Sequence, residues 1–216
     1  MPPSARSKAD LPARNPERTR ERILSAALKE FAARGFAGAR VDAIARRAAI
    51  NKRMLYHYFG NKVDLFSAVL RHKMAERRAW AANLSSDPAE RLPFWFEAAC
   101  GDADWVRLLE WEALQGDAGK LIDEKERLAA AADWLRRLHQ RQKRGQLSFA
   151  FDPAHLALAM QSLTIFPAAF PQLVRLTTGK SIRDPKFQVE YRKFLREFAA
   201  AFRPNSDSQK KTNSSK

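Results

Sequence analysis

Between Val41 and Lys62 apolar positions recur at helical spacing in two short bursts. Ile44, Ala45 and Ala48 make one stripe, Ala49, Ile50 and Asn51 form a turn, and Leu55, Tyr58 and Phe59 give the next helix a buried side. This pattern predicts a helix-turn-helix. Asn51 is placed to cap the second helix, and Lys52 and Arg53 fall in its first turn, where a recognition helix meets base edges. Cations there oppose the helix dipole, so local stability does not call for them, whereas a polyanion does.

Asn15-Pro16-Glu17 reads as the start of an earlier helix, with Ile23, Leu24, Ala27, Leu28 and Phe31 along one face and Gly35 at its end. Arg18, Arg20 and Arg22 on its other face are either phosphate contacts or solvated surface. A long helix follows from Asp64 to about Ala82. It is anchored by Leu65, Phe66, Val69 and Leu70, then turns basic through Arg71, His72, Lys73, Arg77 and Arg78. Ser85-Ser86-Asp87-Pro88 breaks it. Two helices then carry Leu92, Phe94, Trp95 and Phe96, and Trp105, Leu108, Leu109, Trp111 and Leu114. Gly116 to Lys120 reads as a loop, because a phosphate-binding loop needs other spacing and a Ser or Thr after the Lys. A helix over 121–144 presents Leu128, Ala132, Leu135 and Leu138 before Gly145. Asp152-Pro153 starts the next, with Leu156, Ala159, Met160, Leu163, Ile165 and Phe166, and Pro167 and Pro171 kink or shorten it. Asp184-Pro185 opens the last, whose Phe187, Tyr191, Phe194, Leu195, Phe198 and Phe202 form a face wider than one helix needs. The fold class is all-α, with about nine helices.

The 216 residues are 45% hydrophobic, enough for a core in each of two lobes. The net charge of +15 is unevenly spread, with 13 basic and 5 acidic residues from Met1 to Gly60. Concentrated around a helix-turn-helix, that charge points to nucleic acid rather than to a membrane surface. The single cysteine, Cys100, has no internal disulfide partner and reads as a small core residue rather than a redox sensor. No run approaches eighteen apolar residues and no signal segment opens the chain, so a cytoplasmic protein is expected. His57, His72, His139 and His155 show no metal spacing, and no nucleophile motif occurs, so neither an enzyme nor a metal or other cofactor is expected. Residues 1–14 read as a disordered arm with Arg6, Lys8 and Arg14, and 204–216 as a disordered tail.

The run LYHYFGNKVDLF, preceded by GFAGARVDAIARRAAINKR, resembles the DNA-binding domain of the tetracycline-repressor (TetR) family of bacterial transcription regulators. The resemblance implies a helix-turn-helix DNA-binding domain over 15–60 and a helical effector-binding and dimerisation domain over 61–203. It implies DNA contacts from Arg40, Asn51, Lys52, Arg53, Met54, Tyr56, His57, Tyr58 and Lys62, with Tyr58 mostly in the core. It further implies a homodimer on double-stranded DNA at the nucleoid, with a palindromic operator. In the family the last two helices pair with their copies across a two-fold axis. Leu156, Leu163, Phe187, Tyr191, Phe194, Leu195, Phe198 and Phe202 are the expected interface here. Trp80, Phe94, Trp95, Trp105, Trp111, Trp134, Met160 and Phe166 are either plain core or the wall of a pocket for a small apolar or aromatic effector. An architectural DNA-binding protein without a ligand is the competing reading.

Four positions depart from the family pattern. Ala39 and Arg40 stand where Thr or Ser is usual, which removes a helix cap at about 1 kcal/mol. Ala49 and Arg53 stand where glycine is common. A left-handed Ala49 costs about 1 kcal/mol, and Arg53 adds a side chain able to pair with guanine.

Overall fold

The computed structural model describes residues 15–114, 121–148 and 150–202. The arm at 1–14, the loop at 116–120 and the tail at 204–216 lie outside the described residues. Ten α-helices occur among the described residues and fall into two compact units, one ending at His72 and one starting at Lys73.

In the first unit, α1 (Pro16–Gly38) is capped by the Asn15 side chain, which accepts from the amides of Glu17 and Arg18. Gly35 interrupts it with φ 66°, a left-handed conformation that glycine adopts without a Cβ clash. Helices α2 (Val41–Arg47) and α3 (Lys52–Phe59) pack on it through fully buried Ile23, Ala27, Phe31, Ile44 and Leu55. α4 (Lys62–Asn83) begins in this unit and ends in the second. Its Phe66 meets Phe31 edge-on at 4.9 Å and Phe36 at 5.4 Å. This aromatic cluster and the stripes named from the sequence form one small core.

In the second unit, α5 (Pro88–Gly101) is the central element, with α8 (Pro153–Ala169) and α10 (Pro185–Ala201) packed against it. Leu92 and Phe96 of α5 share a buried cluster with Leu156 and Met160 of α8, Phe187, Leu195 and Ala199 of α10, and Leu138 of α7 (Glu124–Lys143). α6 (Ala103–Leu114) joins α7 through a two-pronged ion pair, Arg127 to Glu112 at 2.7 and 3.1 Å. The buried Gln142 amide donates to the carbonyls of Ser148 at 2.9 Å and Phe151 at 2.8 Å, fixing the chain after α7.

Three features differ from the sequence pattern. Among the described residues ten helices occur against about nine expected, because Pro171 starts a separate helix, α9 (Pro171–Thr178), bent 91° from α8. Pro lacks the amide that would continue α8 but has the right φ for a first turn. α7 begins at Glu124 rather than Leu121, after Asp123 turns left-handed at φ 51°. Of its expected stripe only Leu138 is buried, while Leu128 and Ala132 are exposed. Among the described residues no single helix is long and apolar enough to cross a membrane.

Candidate nucleic-acid interface and ligand cavity

The α2–α3 turn is held from α1. The Arg22 guanidinium donates to the carbonyls of Ala48 and Ala49, and Ala49 sits left-handed at φ 50°. Arg20 lies over the Phe59 ring at 4.7 Å. Both arginines therefore serve the fold of this unit while remaining exposed on α1. Arg40 precedes α2 with no side-chain cap, as the sequence implies. Its amide instead donates at 3.2 Å to the buried Glu30 carboxylate of α1, which also pairs with Arg34 at 3.4 Å. A third element thus supplies the acceptor that a capping-box acid would offer.

Asn51 caps α3, its side chain accepting from the Met54 amide at 2.8 Å. Leu55 and Phe59 point inward, and Met54 and Tyr58 are half-buried. Arg53, Tyr56 and His57 are exposed together with Arg40. Arg53 makes no ion pair or hydrogen bond among the described residues. Lys52 has a local partner, Asp42 of α2, at 3.2 Å. An exposed pair of this kind contributes at most about 1 kcal/mol and leaves the ammonium accessible. Lys62 is half-buried, donating to the Ala37 carbonyl at 3.2 Å with its ammonium 5.0 Å from the centre of the Phe36 ring. The α4 amides do not form an open phosphate site. Asn61 accepts from the Asp64 amide at 2.9 Å, and the Asp64 carboxylate lies 2.6 Å from the Asn61 side-chain nitrogen. A phosphate there would meet that carboxylate.

The second unit contains a cavity of about 430 Å³, mostly apolar, walled by Trp95, Trp105, Trp134 and Met160 with Leu92 and Ile165. Trp80, Phe94, Trp111 and Phe166 are not among its lining residues, a correction to the pocket expected from sequence. Trp80 and Phe94 pack on each other and on Trp95 outside the wall, and Phe166 is exposed beside Phe170. The sequence reading missed two cations in the wall, Arg77 and Arg91. A signal existed for Arg91: it shares the face of α5 that carries Pro88, Leu92, Trp95 and Ala99, where an unaccompanied charge is costly. A larger hollow of about 760 Å³ is lined by Asp104, Arg107, Glu110 and Arg183 among others and is too polar for an apolar ligand.

The expected interface residues also need correction. Leu195 has no exposed surface, and Leu156, Phe187 and Phe202 belong to the same internal core, with Leu163, Tyr191 and Phe198 packed against it. Tyr191 donates to the Leu163 carbonyl at 3.0 Å, tying α10 to α8. Only Phe194 of that set is exposed, at 42%. On α8, α9 and α10 the exposed large apolar side chains are instead Leu158 and Phe166, Leu173 and Leu176, and Val189 and Phe194. Cys100 is partly buried against the core, and burial, then Glu97, pushes its thiol up to about 11.

A capped recognition helix on a three-helix support, followed by a separate helical unit, defines a helix-turn-helix DNA-binding regulator. Residues 23–69 match the family described as bacterial regulatory proteins, tetR family, and residues 89–200 match the tetracyclin repressor-like C-terminal domain. The chain belongs to the TetR family of transcriptional regulators. It is 33% identical over 171 residues to the HTH-type transcriptional repressor SCO4008 of Streptomyces coelicolor, covering 77% of this chain and 87% of that one. To the HTH-type transcriptional regulator RutR of Escherichia coli K12 it is 31% identical over 189 residues, covering 76% and 81%. The solved structure of SCO4942 from Streptomyces coelicolor superposes with a TM-score of 0.73 at 28% identity, covering 86% of this chain and 99% of that one. These relatives are transcriptional regulators, not enzymes.

Proposed function

We propose that this chain is a homodimeric repressor that reads a palindromic operator and is released by a small ligand with an apolar or aromatic body. The observation that carries the ligand part is the 430 Å³ cavity walled by three tryptophans, a size and lining suited to a small molecule. An architectural protein has no use for such a cavity, which weighs against the ligand-independent reading. The named repressor among its relatives favours repression.

In this reading Arg53, Tyr56 and His57 face the major groove or its phosphates, with Arg40 and Lys52 at the edge. Lys62 has a supporting role first and a phosphate contact second. The dimer forms through the exposed Leu158, Phe166, Val189 and Phe194 of α8 and α10, so that two α3 helices engage two half-sites. A ligand that prefers a dimer unable to match that spacing dissociates it from DNA. The test is selection from a random duplex library at near-physiological salt. A palindrome of fixed spacing is expected, and Arg53→Ala should relax one base per half-site. Retention without any motif would refute sequence-specific regulation.

A further inference from the structure

The cavity is apolar in outline, yet its charge is one-sided. Two guanidinium groups line it, and no carboxylate does among the described residues. Arg77 is partly matched: its Nη2 lies 3.3 Å from the Asp102 carboxylate, which Lys73 also holds at 2.8 Å. Even so, the Arg77 Nε is buried without an acceptor. Arg91 has less. Its guanidinium stacks over the Trp134 ring at 4.6 Å and donates once, to the Ser85 carbonyl at 3.2 Å. Burial, and after it the neighbouring cation Arg137, disfavours its charged form. No ion pair to Arg91 exists among the described residues.

A guanidinium carries five N–H donors, and a buried cation without a counter-ion is destabilising. Stacking on Trp134 orients the Arg91 fork and leaves most of its donors unused. Gln161 and Thr164 add polar groups to the same wall. Around them the three indoles offer flat apolar surface. The cavity therefore lacks one thing that its own residues do not provide, an anion seated between the arginines.

We propose that the ligand of this cavity is an amphipathic carboxylate, whose head is received by Arg91 with help from Arg77 and whose ring or hydrocarbon body lies among Trp95, Trp105 and Trp134. This rests on the cavity being the effector site. A carboxylate matches the guanidinium fork with two parallel hydrogen bonds, which a neutral amide or alcohol cannot do.

The experiment titrates the full chain, by tryptophan fluorescence and calorimetry at pH 7.5, with benzoic, 2-naphthoic and 4-biphenylcarboxylic acids and with their three primary amides. At least one acid is expected to bind tenfold or more tightly than its amide, equivalent to about 1.4 kcal/mol. Arg91→Met should bring that ratio close to one, and Arg91→Lys should retain part of it. If probes bind but no acid outbinds its amide tenfold, the anionic head is wrong while the cavity stands as a binding site. If none of the six probes binds, the effector-site reading falls, and this inference with it. The acid-to-amide ratio in the unsubstituted protein decides the matter even if Arg91→Met does not fold.

Discussion

Replacing Ala49 by glycine should stabilise this protein, against the usual cost of introducing glycine. Ala49 holds φ 50° in the turn between α2 and α3 and is exposed, so its methyl group adds little packing. The left-handed conformation costs a non-glycine residue about 1–2 kcal/mol through the clash of Cβ with the backbone. Glycine removes that clash but gives the unfolded chain extra freedom, which takes back about 0.4–1 kcal/mol. The net gain is about 0.5–1 kcal/mol, or roughly 1–4 °C in Tm for a chain of this size. Arg22→Met should act in the opposite direction. Its guanidinium bonds to the Ala48 and Ala49 carbonyls hold the turn, and losing them costs about 1–2 kcal/mol. Thermal melts followed by circular dichroism, with urea titrations to check the sign, measure both variants. An Ala49→Gly protein that melts at or below the parent temperature would refute the claim that this turn stores strain.

Three further outcomes are expected. Glu30→Ala should lower stability by about 1–3 kcal/mol in urea, because the Arg40 amide loses its acceptor and a buried void replaces the carboxylate. Phe194→Asp should yield a folded monomer by sedimentation, whereas Leu195→Asp, one position along but fully buried, should fail to fold; a dimeric Phe194→Asp protein would move the interface elsewhere. Cys100 should resist alkylation. With its thiol raised from 9.0 to about 11, the native thiolate fraction at pH 8 is about one hundredth of that in the unfolded chain, and iodoacetamide labelling should slow accordingly. The sign for stability follows: the buried neutral thiol contributes fully below pH 9 and loses that contribution as pH rises toward 11.

Periodicity exposed the recognition motif because α3 is a local structure. Its cap, its first-turn charges and its buried side all lie within a few residues of one another. The same holds for the Asn15, Asp152 and Asp184 caps, each followed by proline, whereas the left-handed Ala49 was implied by the family resemblance, in which glycine is common at that position. The wide aromatic face of α10 misled for the opposite reason. A helix's apolar face is visible in sequence, but what covers it is not. Here α5 takes most of that face, so Leu195 and Phe187 are spent inside the unit and Phe194 is left at its edge.

Sequence alone thus determined the all-helical class, the helix-turn-helix with its basic first turn, and the family. The first two depend on short-range spacing and on charge, and the family on the resemblance of one continuous motif. Tertiary structure decided everything that needs two distant segments to meet. Glu30 completes the start of α2 from α1, Arg22 clamps a turn 26 residues away, and Lys62 reaches back to Ala37 and Phe36. It also decided which tryptophans enclose a cavity and which merely pack, and it placed Arg77 and Arg91 in that wall. A side chain's burial and its partners depend on packing between helices, and that packing has no period along the chain.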